Sequence, residues 1–295
     1  MGLARRNVEA GQALANQFGC RAFADYRELA AHPEVDALIA VVPPMLHADI
    51  VQTAADSKRA LLLEKPAAPN LEVGMGMLQS ARRAAIPVMV AQTLRYSEVV
   101  RAIIEARPRI GAIHALRLSQ RFEPSRPGWI DDPAQAGGGI VLHTGVHSFD
   151  LVRFLSGMEG DRVSCELSAV KTKQTEDNFS AVIRLDGGKA LATVAGSRAT
   201  ASRSGPIELA GEHGQIIGDH VLGTVQFIQG RTATTLPMPS ALPTVREILH
   251  DFADALRASR PMPIPLEEGL RAIALAQACY ESSRSGAAAA VARVV

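Results

Sequence analysis

The run Ala37-Leu38-Ile39-Ala40-Val41-Val42, which stops at Pro43-Pro44, decides the fold class. An uninterrupted apolar run that ends at prolines predicts a short strand buried on both faces of a parallel sheet. The pattern recurs at residues 60–63, which stop at Glu64-Lys65-Pro66, and at residues 87–91. Helical spacing separates the three runs. Strands that alternate with helices predict right-handed crossovers and a doubly wound parallel sheet.

The helices of this half are predicted at residues 45–56 and 71–85. Upstream of the first run, residues 7–18 have helical spacing, with Asn7 as a plausible N-cap and Gly19 where a helix usually stops. An extended piece at 20–23 and a helix at 25–31 follow in the same alternating order.

The pattern changes after residue 94. Residues 112–121 alternate between apolar and polar, and turn signals such as Asp186-Gly187-Gly188 separate several further short strands. Those strands are predicted at 162–171, 178–185, 189–197, 207–210 and 214–219, and the helices at 97–106, 140–156, 245–258 and 266–283. The predicted fold class is α/β, with an incomplete Rossmann-like parallel sheet domain at 1–94. An α+β domain with an open, mostly antiparallel sheet is expected at 95–295, its last helices packing back on the first domain.

The composition excludes several classes of protein. The 295 residues suit two domains, and 31 Lys and Arg against 30 Asp and Glu give no electrostatic case for nucleic acid or an anionic membrane. The three cysteines are far apart in the sequence, which is typical of small core residues in a reducing compartment. No signal peptide and no apolar run of membrane-spanning length is visible. A cytoplasmic enzyme with a small-molecule substrate is expected.

A second stretch carries a candidate site: Gly137-Gly138-Gly139-Ile140-Val141-Leu142-His143-Thr144-Gly145-Val146-His147-Ser148-Phe149-Asp150. Spacings of four and three place His143, His147 and Asp150 on one face of a helix. Two histidines four apart can share a metal ion, but no HExxH pattern and no cysteine completes a ligand set, so no metal is predicted. An ordinary helix N-terminus with half-buried histidines is the other interpretation.

Polar residues also follow the predicted parallel strands. Pro43, Pro44 and His47 come after one strand, and Glu64-Lys65-Pro66 comes directly after the next. In an open parallel sheet, ligands bind beyond the carboxyl ends of the strands. A solvated turn with a surface ion pair is the alternative explanation of Glu64 and Lys65.

These two stretches, taken together and in this order, resemble the Gfo/Idh/MocA family, which contains relatives of glucose–fructose oxidoreductase and inositol dehydrogenase. The likeness extends from about residue 4 to the C-terminus. Further matches are Pro43-Pro44-x₂-His47, Gln92-Thr93-Leu94-Arg95-Tyr96 and Gly269-Leu270-Arg271-Ala272.

The resemblance implies an NAD(P)-dependent oxidoreductase that transfers hydride between a nicotinamide cofactor and the secondary alcohol of a sugar, polyol or related molecule. In the family, the lysine of Glu-Lys-Pro and the histidine of the helix motif line the substrate site, which assigns catalysis to Lys65 and His147. The Lys65-Pro66 bond is expected to be cis, as is often found in the family. A homodimer or tetramer through the sheet of the second domain is also implied.

The remaining candidates divide into two groups. Substrate binding is predicted for His143, Asp150, Arg95, Tyr96 and Trp129. Cofactor binding is predicted for Arg5, Arg6, Val42, Pro43, His47, Glu64, Lys65 and Gln92.

Two departures from the family pattern affect these expectations. His143 stands where many members have an aspartate, so it is a substrate contact or a second acid/base candidate. The family also begins with a strand, a GxGxxG turn and a helix that binds the pyrophosphate, and this sequence has no such turn. By alignment with the family pattern, about 30 residues are missing at the N-terminus, the size of a strand–helix unit.

The missing unit leaves two interpretations open. Either the sequence is a fragment or mis-started frame of an ordinary enzyme, or the protein is a non-catalytic ligand-binding or assembly protein of the same family. Cofactor binding is expected to be impaired without this unit. Arg5 and Arg6 stand where NAD enzymes place an acid, which favours NADP over NAD.

Overall fold

The structure is a computed structural model that describes residues 1–124 and 128–295. Its first half contains five short parallel strands connected by helices. These elements are β1 (Gly2–Ala4), α1 (Val8–Phe18), β2 (Arg21–Phe23), α2 (Tyr26–Ala31), β3 (Ala37–Ala40), α3 (His47–Asp56), β4 (Ala60–Leu63), α4 (Leu71–Ala84) and β5 (Val88–Val90). The alternation of parallel strands and helices that the apolar runs predict is confirmed.

The parallel strands form two separate sheets. Strand β1 pairs with β2, and β3 pairs with β4, which also pairs with β5. The fully buried β4 agrees with prediction, but burial on both faces is wrong for β3 and the residues after it, because Ile39 is 58% exposed and Val41 is 73% exposed. Helix α3 packs on β3, and within residues 1–124 and 128–295 nothing buries the face that carries Ile39.

The second half is built on one nine-stranded sheet. Its elements are α5 (Glu98–Ala106), β6 (Ile113–Arg121), α6 (Pro133–Ala136), α7 (Val146–Ser156), β7 (Gly160–Ser168), β8 (Asn178–Leu185), β9 (Ala190–Ser197), β10 (Pro206–Gly211), β11 (Gly214–Asp219), β12 (Thr224–Gln229), β13 (Thr232–Thr235), α8 (Thr244–Arg257), α9 (Leu266–Ser285) and β14 (Ala289–Ala290). The strand order is β13-β12-β11-β10-β6-β9-β8-β7-β14. Only β6 and β9 pair in parallel within this sheet of described residues, so the mostly antiparallel sheet is confirmed.

Helices pack against the sheet at several points. Helix α7 contacts β6 and β9, α5 contacts β11 and β12, and α9 contacts β7. Val182 on β8 and Leu191 on β9 are exposed on adjacent strands. The sheet therefore has apolar side chains that this chain leaves open to solvent.

Helix α9 packs on both halves of the molecule, since it contacts α4 and β5 as well as α7 and β7. The contact with α4 is close because Gly74 has no side chain. A Cβ at this position would overlap Leu270 Cδ2 of α9, and Leu270 is fully buried.

The helix predicted at 140–156 is not a continuous α-helix. Residues Val141–Gly145 form one π-helical turn, and regular α-helix begins at Val146. A π turn inserts an extra residue into an α-helix and is frequently found at functional sites. His143 lies inside this turn and His147 lies after it. The four-residue spacing of a regular α-helix therefore does not give the relative directions of the two side chains.

Across the described ranges, no helix combines the length and the apolar character that crossing a bilayer requires.

Two glycines of α4 provide a matched test of the contact between α4 and α9. We expect Gly74→Ala to lower the free energy of unfolding by about 1–3 kcal/mol, because the buried Leu270 has to move. Gly76 is exposed and a Cβ there would meet no other atom, so Gly76→Ala is expected to raise this free energy by about 0.5–1 kcal/mol through helix propensity. Urea unfolding measures both, and equal effects of the two substitutions would contradict the contact.

Candidate active site

A cavity of about 560 Å³ lies at the carboxyl end of β4, between the parallel strands and the large sheet. The segment after β4 supplies Lys65, the π turn and α7 supply the two histidines, and Arg198 directly follows β9. The described residues that line it are Lys65, Gln120, Phe122, Glu123, Pro124, His143, Thr144, His147, Arg198 and Arg203. The fold therefore brings together Lys65, His143 and His147, although Lys65 is remote from the histidines in sequence.

Lys65 connects the two halves at this point. Its Nζ donates to the backbone oxygen of His143 at 3.0 Å, and Glu64 Oε2 accepts from the Lys65 backbone N–H at 2.7 Å. Burial lowers the pKa of Lys65, Glu64 opposes this shift and Arg198 adds to it. The expected cis Lys65-Pro66 bond is confirmed. The ammonium is thus fixed in the cavity, with donors that the His143 oxygen does not use.

His147 is held in one tautomer. Its Nδ1–H donates to Gln92 Oε1 at 3.1 Å, because an amide oxygen can only accept. Nε2 is then the nitrogen that carries the lone pair. Burial lowers the pKa of His147 well below its usual value, and the charges of Lys65, His220 and Arg198 lower it further. A neutral imidazole with a free acceptor is suited to take a proton from a hydroxyl.

His143 has a different environment. Its Nε2–H donates to the backbone oxygen of Ala136 at 3.0 Å, and the ring of Trp129 meets its ring edge-on at 5.7 Å. Burial, Arg198 and Lys65 lower the pKa of His143 to about 4. The ring is neutral at physiological pH and leaves only Nδ1 for a ligand.

The glycine-rich stretch is fixed by Glu176, a residue that the sequence did not indicate. Glu176 Oε1 accepts from the backbone N–H groups of Gly139 at 3.0 Å and Val141 at 3.1 Å, and from Tyr280 Oη at 2.7 Å. A carboxylate at a helix N-terminus satisfies donors that have no partner within the helix. A Cβ at Gly139 would overlap the backbone oxygen of Glu176, so the glycine is needed there.

Arg198 and Gln120 are further lining residues that sequence reasoning missed. Arg198 Nη2 donates to Thr144 Oγ1 at 2.6 Å, and Gln120 Nε2 donates to Ser148 Oγ at 3.0 Å. Both side chains come from strands β6 and β9 or their ends, where single polar residues are common in any sheet. The only available signal was the position of Arg198 immediately after a predicted strand.

Asp150 and Arg95 lie in a buried ion-pair cluster outside the set of described residues that lines the cavity. Arg95 donates to both carboxylate oxygens of Asp150, at 2.7 and 2.6 Å, and also to Glu268 at 2.9 Å. Arg153 connects Glu268 to Glu159. The polar atoms of Arg95 and Asp150 are thus bonded to each other and to Glu268, which holds α7 against α9, and the substrate contacts predicted for these two residues stay predictions.

Two more predicted ligand contacts have structural partners. Tyr96 Oη donates to Asp251 Oδ2 at 2.7 Å on α8. The ring of His47 has no solvent exposure and lies between the backbone oxygens of Val42 at 3.1 Å and Ala67 at 3.2 Å. His47 joins the segments that follow β3 and β4, and Tyr96 joins the domain junction to α8. The cofactor contact of His47 and the substrate contact of Tyr96 stay predictions.

The other predicted cofactor residues lie at strand ends. Arg5 and Arg6 are exposed directly after β1, and Val42 and Pro43 are half-buried after β3. Gln92 follows β5 and is buried against His147 rather than open to solvent. Their chemistry fits a dinucleotide, since guanidinium groups suit phosphate and apolar strand ends suit a ring. Phosphate binding by Arg5 and Arg6 stays a prediction.

The described residues contain no group of three or more His, Cys, Asp or Glu side chains arranged to hold a metal ion. His143 and His147 each donate to a protein oxygen instead.

Residues 1–92 match the family model described as the NAD-binding Rossmann fold of an oxidoreductase family, and residues 103–291 match its C-terminal alpha/beta domain. The chain belongs to the Gfo/Idh/MocA oxidoreductase family. The resemblance seen in the two short motifs is thereby confirmed, and Lys65 and His147 lie in the segments that match the two models.

Curated members of the family extend the comparison. Myo-inositol 2-dehydrogenase of Thermotoga maritima is 26% identical over 276 residues, which cover 89% of this chain and 81% of that protein. The 1,5-anhydro-D-fructose reductase of Ensifer adhaerens is 28% identical over 295 residues, which cover 96% and 88%. Levoglucosan dehydrogenase, solved in complex with NADH and L-sorbose, shares the fold with a TM-score of 0.92 at 22% identity, covering 99% of this chain and 90% of that one.

The ion-pair cluster predicts a specific dependence of stability on pH. Burial alone would raise the pKa of Glu268, but hydrogen bonds and charge from Arg153 and Arg95 lower it from 4.5 to about 2. The stabilisation is therefore complete above pH 4.5 and is lost as the pH falls towards about 2. We expect wild type to lose about 1–2 kcal/mol more than Glu268→Gln between about pH 6 and about pH 3.

Urea unfolding at a series of pH values measures this difference. Glu281→Gln, which removes an exposed carboxylate from the same helix, is the control and is expected to follow wild type. A Glu268→Gln profile that ran parallel to wild type would contradict the assigned pairing.

Proposed function

We propose that this chain is an NAD(P)-dependent oxidoreductase that transfers hydride between a nicotinamide cofactor and the secondary alcohol of a sugar, polyol or related molecule. The observation that carries the proposal is the meeting of Lys65 Nζ and the His147 ring in one cavity at the carboxyl end of β4. Membership of an oxidoreductase family with an NAD-binding domain supports it. So do the activities named for the curated relatives, inositol dehydrogenation and anhydrofructose reduction.

His147 is the proposed acid/base. Its Nδ1–H is fixed on Gln92 Oε1, so Nε2 is the atom that accepts the hydroxyl proton during oxidation and returns it during reduction. The low pKa that burial imposes keeps the ring neutral before the transfer. Gln92 is then a positioning residue for His147, a role that replaces the direct cofactor contact predicted for it.

Lys65 is proposed to bind the reacting hydroxyl oxygen. One of its ammonium hydrogens is fixed on His143 O, and the others can donate to the substrate and stabilise negative charge that develops on oxygen. His143, neutral and in contact with Trp129, is proposed to bind a neighbouring hydroxyl through Nδ1. Trp129 is proposed to limit the cavity on that side.

Bound nicotinamide would supply the hydride donor or acceptor. Arg5 and Arg6, exposed to solvent after β1, are proposed to bind the 2′-phosphate of NADP, with Val42, Pro43 and Glu64 at the ends of β3 and β4 nearer the ring.

The organisation of the chain is proposed from its two family segments. We infer a nucleotide-binding unit at 1–94 and a substrate and oligomerisation unit at 95–295, with α9 packed on both. The exposed Val182 and Leu191 support pairing of two copies through the large sheet. The free thiols of Cys20, Cys165 and Cys279 support a reducing, cytoplasmic location.

Substitution of the two proposed catalytic residues tests the mechanism. We expect His147→Asn to lower kcat by about 10²–10⁴-fold and Lys65→Met by about 10²–10³-fold, because the first removes the proton acceptor and the second the oxygen ligand. Formation or loss of reduced nicotinamide absorbance with myo-inositol or 1,5-anhydro-D-fructose is the measurement. The matched controls are exposed His114→Asn and Lys189→Met, which are expected to keep full activity. Activity retained in Lys65→Met would refute the assignment, and sugar binding without any nicotinamide binding would favour the non-catalytic alternative.

Cofactor choice is tested separately by binding. We expect Arg5→Gln to weaken NADPH binding by about tenfold, because a charge-assisted contact to the 2′-phosphate is lost, and to leave NADH binding nearly unchanged. Titration of the fluorescence of each reduced cofactor gives both affinities. An equal loss for the two cofactors would contradict a 2′-phosphate role for Arg5.

A further inference from the structure

The cavity has more positive than negative charge among its described lining residues. Four of these residues are charged: Lys65, Glu123, Arg198 and Arg203. Glu123 Oε2 accepts from Arg203 Nε at 2.6 Å, so these two side chains neutralise each other at the solvent-facing side. Lys65 and Arg198 are the two charged lining residues outside this pair, and both are positive.

Arg198 is fixed in position without a carboxylate partner. Directly after β9, its backbone N–H donates to the backbone oxygen of Asp177 at 2.8 Å. In the side chain, Nη2 donates to Thr144 Oγ1 at 2.6 Å. Within the described ranges, this hydroxyl is the only side-chain or backbone acceptor bonded to the Arg198 guanidinium, and Arg198 forms no salt bridge there. A guanidinium has five N–H donors, so most of them are available to a ligand.

Burial lowers the pKa of Arg198, although the charge of Glu176 raises it. Its carboxylate is already occupied by the N–H groups of Gly139 and Val141 and by Tyr280 Oη. The neighbouring histidines are neutral, because burial and the charges of Lys65 and Arg198 lower the pKa of each. Glu176 therefore stabilises the cation only through space, and among the described residues no carboxylate pairs directly with the half-buried guanidinium, so a cation in this position favours an anionic ligand.

We propose that Arg198 binds a carboxylate group of the substrate, so that the cavity selects acidic sugars, such as uronic or aldonic acids, over neutral ones. The proposal rests on the proposed function for the reaction at the hydroxyl group, which Lys65 and His147 carry out. Thr144 positions Arg198 by accepting from Nη2, which leaves the other edge of the planar fork for two parallel bonds to the carboxylate.

A carboxylate fits this site better than a phosphate group does. Phosphate sites usually add backbone N–H groups at a helix N-terminus to their basic side chains. Here the N-terminus at Gly139 and Val141 is filled by Glu176. Lys65 is committed in part to His143 O, so a single planar fork is left, and this matches a singly charged planar anion.

The sequence contains one tryptophan, and this residue provides a direct binding signal. Trp129 contacts the ring of His143, which lines the cavity. Titration of Trp129 fluorescence with D-glucuronate and with D-glucose compares an acid with its neutral counterpart. D-gluconate with D-glucitol is a second pair, and D-glucose 6-phosphate tests the phosphate alternative. Thermal-shift titration measures the same binding without relying on tryptophan.

We expect wild type to bind the carboxylate member of at least one pair about tenfold or more tightly than the neutral member. Arg198→Gln is expected to remove this preference, and Arg198→Lys to retain part of it, because charge remains while the planar fork is lost. Arg117→Gln, which removes an exposed arginine from β6, is the control and is expected to keep the preference.

Three outcomes would overturn the proposal: no preference for acids in wild type, an undiminished preference in Arg198→Gln, or tighter binding of D-glucose 6-phosphate than of every carboxylate. The wild-type comparison decides even where a variant fails to fold. Failure of the proposed oxidoreductase function is distinguished by nicotinamide titration of wild type in the absence of sugar. Nicotinamide binding without a preference for acids would overturn the Arg198 proposal alone, and a preference for acids without nicotinamide binding would overturn the oxidoreductase function.

Discussion

The hydrogen bond from Lys65 Nζ to His143 O is the interaction on which the site depends. It joins the end of a fully buried parallel strand to the one π-helical turn among the described residues. A π turn changes the backbone pairing of a helix, and here a backbone oxygen within it has a partner outside the helix. The contact therefore fixes the ammonium relative to His147, which lies one turn further along.

A second constraint holds the other end of the same segment. Glu176 binds the N–H groups at its start, Tyr280 binds Glu176, and Tyr280 belongs to α9. Because the network needs close backbone approach, two glycines of this stretch are explained by packing rather than by flexibility: Gly138 lies against Tyr280 and Gly139 against Glu176. The site is thus built on a segment fixed at both ends before any ligand binds, which lowers the cost of ordering it.

Much of the fold followed from local physical chemistry in the sequence. Apolar runs predicted the parallel strands. The caps of α1 also agree with prediction: Asn7 Oδ1 accepts from Ala10 N–H at the start of the helix, and Gly19 adopts the left-handed conformation at its end. The exposure of Ile39 could not be predicted, because an apolar run does not tell whether another element covers it. The π turn was also missed, since the apolar spacing of 140–156 fits an ordinary helix.

The candidate site was predictable only where motifs carried it. Lys65 and His147 were proposed together because each belongs to a recognised motif. Arg198 and Glu176 belong to neither motif, and their bonds to Thr144 and Gly139 form only in the folded chain. For Asp150, Arg95, Tyr96 and His47 the structure shows protein partners that the sequence did not indicate, and their ligand contacts stay predictions. Polar residues near a motif can form buried hydrogen bonds or ion pairs with other residues of the protein. The sequence alone does not distinguish such a pair from a ligand contact.

The position of α9 determines how a destabilising substitution in one half of the molecule affects the other half. One helix supplies packing surface to β5 and α4 on one side and to α7 and β7 on the other, so neither half can lose its structure while the helix stays fully packed. Local unfolding free energies in the two halves are then coupled through a shared element. A destabilising substitution in either half, even one remote from the cavity, is therefore expected to change the relative positions of Lys65 and His147 through α9.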